Sequence, residues 1–372
     1  PAPAARFTFD RDRGTAAIRA VVTVCLAWLI FIYVNDLPNG TTLVMMSAPI
    51  GMALAAMPQL RVSQLFGPVS IGVLIGGVAH VFVMPHLSGF ASLSLMIFGV
   101  TFAVCYLFAA PQQMLGRAFG LAMFVTIAGI DNDQSYSILG VLNTAVVFAM
   151  IFLLFSITAY VPVSPGPEKA FLRLLGRFFR SCDYLASLMG RDPHQPWRRG
   201  ERWRRAFHTS ELSALPGKLA IWAKFIDPGA LPGTSAKQVQ ALVASLRTMT
   251  RCIEELLEER AHSQSKILAK ALSKDVREWR LAVQAVLRQL SKNPAAVEQE
   301  VLRRKLAETM EHLEKRIIET LDSTPEGHIS ERDGEKFYRL LGSYRGVSDA
   351  LVDYAGSAGA IEWRHWHEER FA

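Results

Sequence analysis

The sequence predicts an all-α membrane protein, a six-span transmembrane helical bundle followed by a cytoplasmic helical bundle. Three observations lead there. The chain of 372 residues is 51% hydrophobic and has a positive mean hydropathy, which an ordinary soluble domain does not carry. Its charge is lopsided: up to Ser164 there are six Lys or Arg and five Asp or Glu, out of 40 and 33 in the whole chain. The apolar residues cluster in long runs in the front part and at helical spacing behind it, and no stretch has the alternation of a β-strand.

Residues 1–15 form a polar N-terminal segment, "RFTFDRDR" at its centre, with no small-residue cleavage pattern after the first apolar run. The chain opens on Pro1 rather than Met, which reads as a piece of a longer protein. Crossing about 30 Å of hydrocarbon takes roughly 20 apolar residues at about 1.5 Å each. Six windows approach that within residues 16–164: Ala16 to Val34, Thr41 to Met57, Leu65 to Met84, Ala91 to Ala110, Gly116 to Ile130 and Ile138 to Val161. The second and fifth are short, and Pro49 interrupts the second, as expected of broken or tilted helices sheltered by their neighbours. Brief connections rich in Pro, Gly and Asn suit turns between antiparallel helices.

Lys and Arg in short loops are retained on the cytoplasmic side. Arg6, Arg11 and Arg13 precede the first window, Arg61 lies between the second and third, and Arg117 opens the fifth. The loops "NDLPNG", "PHLSGF" and "DNDQSYS" hold neither Lys nor Arg. A six-span count therefore puts every loop cation on one face and both termini in the cytoplasm.

Residues 165–236 begin with "EKAFLRLLGRFFRSCDYLASLM", in which Phe171, Leu174, Leu175, Phe178, Phe179 and Leu185 recur at helical spacing between arginines. The pattern predicts an amphipathic helix on the inner membrane surface. The run "WRRGERWRRAF" extends it as a lipid-facing collar, the reading preferred over a nucleic-acid surface directly behind a membrane span. Residues 237–372 carry three long apolar stripes and a shorter fourth, punctuated by Pro294 and "STPEGH", which describes an antiparallel helical bundle.

The sequence carries no phosphate loop, dinucleotide turn, nucleophile elbow or HExxH helix, so it is expected to be no enzyme and to need no cofactor. The four cysteines form no CxxC pair. The tail "WRHWHEER" gathers His365, His367, Glu368 and Glu369, yet alternate histidines at a chain end suit a solvated tail better than a metal site.

The segments "FDRDRGTAAIRA", "DLPNGTT", "MPQLRVSQLFGPVSIGVLIGG" and "PGPEKAFLRLLGRFFR", in a six-span layout, resemble the second half of fusaric acid resistance (FUSC) family proteins. The resemblance spans roughly Asp10 to Leu188. It implies an inner-membrane efflux transporter for aromatic carboxylic acids or related toxic compounds. It further implies a periplasmic adaptor of the membrane-fusion type, and either a missing six-span half or a homo-oligomer of this one. A layout similar to plant aluminium-activated malate channels gives a second expectation, a passive organic-anion channel. A membrane-anchored scaffold is a third. Lacking a nucleotide site, a transporter here would draw on an ion gradient, the proton gradient in the export reading, or run downhill.

Five residues are candidates for that work. Arg19 lies just inside the first span, where it either snorkels to the headgroups or holds an organic carboxylate through its planar fork. His80, deeper in the third span, is a candidate for substrate contact and for proton relay. Asp131 and Asp133 at the outer mouth are candidates for proton coupling, because neighbouring carboxylates push one another's titration upward, or else are solvated loop residues. Asn143 in the sixth span is a candidate substrate contact or helix-to-helix glue. Gly72 with Gly76, and Gly116 with Gly120, form small-xxx-small pairs suited to close helix packing.

Overall fold

A computed structural model describes residues 11–35, 37–56, 62–110, 113–130, 136–159, 167–190, 198–226, 233–261, 272–323 and 331–367. They form two compact units, Asp10–Pro165 and Gly166–Ala372. Among the described residues there are twelve α-helices and no strand.

The first unit holds six helices: α1 Arg11–Tyr33, α2 Gly40–Ala56, α3 Val62–Val78, α4 Phe90–Leu107, α5 Met114–Ala128 and α6 Ile138–Ala159. Their bounds fall close to the six apolar windows. Four stretches are long and apolar enough to cross a membrane, Gly14–Tyr33, Leu65–His86, Phe90–Leu107 and Ile138–Thr158, while Gly116–Ala128 is shorter. The α2 helix has 17 residues and contains Pro49.

Packing within this unit fixes relative directions. Gly40 abuts Phe31 and Gly51 abuts Ala20, so α1 and α2 are antiparallel. Asn39 bonds to Thr144 and Gly51 meets Phe155, so α2 runs with α6. Gly77 touches Val141 while the Phe66 ring meets Phe152, so α3 opposes α6. Pro68 faces Gly116, Gly72 faces Gly120, and Gly76 faces Phe124 and Ile127, which makes α3 and α5 parallel.

That last contact is backbone on backbone. A Cβ on Gly72 would stand 2.3 Å from the Gly120 carbonyl oxygen, and one on Gly116 would stand 2.8 Å from Pro68 Cγ. Only glycine admits such an approach, and in lipid it is this packing, with hydrogen bonds, that drives helices together. Elsewhere the surface is frankly apolar: Trp28, Ile32, Leu74, Phe82, Phe98, Phe102, Leu139 and Leu153 point outward. Such a surface would be unstable in water and suits hydrocarbon.

The second unit contains α7 Pro167–Leu188, α8 Arg199–Ala223, α9 Ala236–Ala261, α10 Ser273–Lys292, α11 Gln299–Ser323 and α12 Glu331–Gly359, then a 3-10 turn Trp363–His367. Arg177 pairs with Glu211 and Ser181 with His208, so α8 runs back along α7. Ser187 contacts Arg280 while Asp183 contacts Gln284 and Arg288, so α10 also opposes α7. Arg260 meets Tyr344 and Gln238 meets the Ala360 carbonyl, which sets α9 against α12.

One expectation is corrected here. The apolar stripe of α7 does not lie on lipid: Phe171, Leu174, Leu175, Phe178, Phe179 and Leu185 are at most 4% exposed and sit in the core with Leu212, Trp279, Tyr354 and Trp366. Among the described residues, α7 and α8 share one core with the helices behind them. The physical reason is simple. Fully burying each such side chain is worth roughly 1.5–3 kcal/mol against any apolar cover, and helical periodicity does not say whether that cover is lipid or protein.

Candidate functional site

The third apolar run does not stay α-helical to its end. After Val78 the chain makes a π-turn, Ala79–Val83, and then a 3-10 turn, Met84–His86. Such π-turns hold one extra residue and cluster at functional positions. This one contains His80, which is 9% exposed.

His80 Nδ1 lies 2.9 Å from the carbonyl oxygen of Ala128. Ala128 ends α5, where Gly129 adopts a left-handed conformation with φ 52° and returns its N–H to Val125. The Ala128 carbonyl is one of the terminal acceptors a helix leaves without an internal partner. A carbonyl only accepts, so Nδ1 carries the hydrogen, and the neutral ring presents Nε2 as its proton acceptor. The Tyr136 ring stands 5.6 Å from the imidazole, centroid to centroid. Asp131 and Asp133 lie in the connection before Tyr136 and outside the described residues.

Arg19 sits near the start of α1, half-buried, and hence at the opposite end of the unit from His80. One turn further, the buried Thr23 hydroxyl lies 2.9 Å from the Arg19 carbonyl and 2.8 Å from the hydroxyl of Thr158 in α6. Thr158 in turn donates to the Leu154 carbonyl at 3.0 Å. The pair Thr23–Thr158 is a buried polar contact between the first and last helices of the unit. Each threonine alone reads as an ordinary residue of an apolar helix, and neither was singled out in the sequence.

Between the two ends lies a slot lined by Ile50, Leu65, Val69, Phe119, Met123, Phe148, Phe152 and Phe155, with room for about one water-sized molecule. Four helices contribute to it, so no spacing along one helix announces it. Asn143 is partly buried in α6. Its neighbour Thr144 accepts a hydrogen bond from Asn39 at 2.8 Å, and Asn39 holds the left-handed turn, φ 52°, that opens α2. The polar link between α2 and α6 thus runs through Thr144.

In the second unit His365 lies 3.9 Å from Glu362, and Glu368 and Glu369 fall outside the described residues. The described residues contain no cluster of three or more potential metal ligands. Arg177 holds Glu211 through both guanidinium and both carboxylate positions, at 2.6 and 3.0 Å. His208 stacks on Tyr184 and lies 3.1 Å from Ser181 Oγ.

A family model described as fusaric acid resistance protein family, FUSC, matches residues 2–332. The chain belongs to this family. The match takes in the apolar unit and most of the second unit, well beyond the stretch on which the sequence resemblance rested. No curated protein matches the chain. Family and apolar helices together make this FUSC member a membrane protein with transmembrane helices and a transporter of the efflux kind.

Proposed function

We propose that the chain crosses a bacterial inner membrane six times, with both termini cytoplasmic, and exports small organic anions, aromatic carboxylates foremost, in exchange for protons. The antiparallel pairs α1–α2 and α3–α6 of the first unit support the crossings, and the one-sided distribution of its loop cations supports the orientation. FUSC membership supports export. The observation that carries the coupling is the separation of two polar sites inside one apolar unit. An imidazole with a defined acceptor nitrogen stands at one end, and the buried Thr23–Thr158 hydroxyl pair, one turn beyond Arg19, stands at the other.

In this reading His80, together with Asp131 and Asp133, takes up protons from the outer side, while Arg19 receives the anion from the inner side. Asn143 is assigned to the substrate path on the outer half. A periplasmic membrane-fusion adaptor and a second six-span half, or a second copy, complete the assembly. The test is uptake of labelled benzoate into everted vesicles carrying the full-length protein. Accumulation should require an imposed proton gradient and collapse with an uncoupler. Accumulation indifferent to the uncoupler removes the exchange mechanism, and currents reversing at the anion's equilibrium potential identify a channel.

A further inference from the structure

The π-turn that carries His80 rests on a buried apolar cluster, Ala79, Met84, Phe124 and Ala128, with Met96 and Val100 packed against it. None of those side chains can carry a proton. Against the imidazole stands the Tyr136 ring, 5.6 Å away between centroids and tilted by 60°. Tyr136 is 45% exposed and His80 only 9%, so the tyrosine is a layer between the histidine and what lies outside the unit. It comes from a third helix, one residue ahead of Ser137, whose hydroxyl accepts the Gly140 N–H in the first turn of α6. Its own hydroxyl donates to the Met84 carbonyl at 3.5 Å. That bond is long and therefore weak, and the same carbonyl also accepts the Leu87 N–H at 3.1 Å. Breaking it orphans no buried acceptor, so the contact opens at little cost.

We infer that Tyr136 is the gate to His80: its ring covers the imidazole, its hydroxyl latches on Met84, and release of the latch uncovers Nε2 to protons. The inference rests on the proton-exchange reading above and deepens it by naming the residue that controls access. Nδ1 is held by Ala128 of α5, so the imidazole stays in place and the cover is the part that moves. Tyr136 leads directly into α6, and a Cβ on Gly77 would stand 3.1 Å from Val141 of that helix. A shift of α6 along α3 therefore carries the cover with it. Opening is thereby tied to the helix that holds Asn143 of the proposed substrate path. Exchange needs such a cover, because a proton free to return the way it came drives nothing.

The test uses diethyl pyrocarbonate, which acylates an accessible, unprotonated imidazole nitrogen, on the full chain in detergent, with mass spectrometry locating the modified histidine. His86, exposed in the same stretch of chain, is the internal reference. In wild type His80 should react about tenfold more slowly than His86, and Tyr136→Ala should bring the two rates within about twofold of each other. Tyr136→Phe keeps the cover and loses only the latch, so His80 should speed up about threefold, the scale of one weak hydrogen bond. The His86 rate should be the same in all three proteins, which separates uncovering from a general loosening. In everted vesicles with labelled benzoate, Tyr136→Ala should lose most of the proton-driven accumulation while the benzoate KM stays within about twofold. His80 reacting at one rate in all three proteins overturns the gate and leaves the exporter reading intact. Fast His80 labelling in Tyr136→Ala with wild-type accumulation overturns the role of the cover in exchange. A wild type that accumulates no benzoate under a proton gradient overturns the exporter reading and the gate's role in it, and the labelling rates tell that outcome from the first.

Discussion

The imidazole of His80 donates to the carbonyl of Ala128 at 2.9 Å, and so ties the π-turn that ends the third apolar run to the last residue of α5. The bond has two separable parts, a donor for a helix-terminal carbonyl and a nitrogen that can be protonated. His80→Asn keeps a donor near the Nδ1 position and removes the titratable nitrogen. It should fold and bind benzoate like wild type yet lose proton-driven accumulation in everted vesicles. His80→Leu removes both parts and leaves the carbonyl unsatisfied in an apolar setting, a cost of about 1–3 kcal/mol. Its thermal unfolding in detergent should fall below that of His80→Asn.

Gly72 and Gly99 offer a paired comparison. A methyl group on Gly72 meets the backbone of Gly120, whereas one on Gly99 meets nothing within 4 Å. Gly72→Ala should force α3 and α5 apart and cost about 1–3 kcal/mol, the usual range for overpacking. Gly99→Ala should be neutral or stabilising by up to about 1 kcal/mol, because alanine loses less backbone entropy in a helix. Unfolding midpoints in one detergent check both, and equal midpoints would contradict the close α3–α5 contact.

Much of the fold was legible because its causes are local. Six apolar runs and the turn residues between them place α1 to α6 within a few residues, and the Gly72–Gly76 and Gly116–Gly120 spacings anticipate the α3–α5 contact. The π-turn at His80 was not legible, since it depends on the partner that Ala128 supplies from another helix. Neither was the slot, whose phenylalanines come from α5 and α6 and meet only once the chain has turned back on itself. The stripe on α7 was seen and given the wrong cover, because an apolar face looks the same whether lipid or protein lies against it.

The pair Arg177–Glu211 is buried, with side chains 11% and 9% exposed, and its geometry is bidentate. Arg177→Met should cost about 3–5 kcal/mol, because it strands the Glu211 carboxylate without its countercharge. Adding Glu211→Leu should recover most of that loss, since a packed apolar pair is often as stable as a buried ion pair. Denaturant unfolding of the second unit within the full chain, followed by tryptophan fluorescence, provides the comparison. A double variant as unstable as the single one would mean that the pair contributes through packing alone.

His208 supplies a pH dependence of defined sign. Burial against Tyr184 and Ser181 lowers its tendency to protonate from the ordinary value of 6.5, Arg180 and Arg204 act in the same direction, and Glu211 opposes them. With the folded value depressed, the unfolded chain binds more protons over the interval just below 6.5, so stability rises with pH there and is lost as pH falls. The stabilisation is fully present above the unfolded value, so neutral pH should lie on the plateau. His208→Phe keeps a ring against Tyr184 and removes the charge change. It leaves Ser181 without its partner nitrogen, which lowers stability at every pH alike. The discriminating quantity is therefore the slope: between about pH 7.5 and about pH 5.5 the unfolding midpoint of wild type should drop more steeply than that of His208→Phe. Parallel slopes would show that the acid sensitivity of the second unit arises elsewhere.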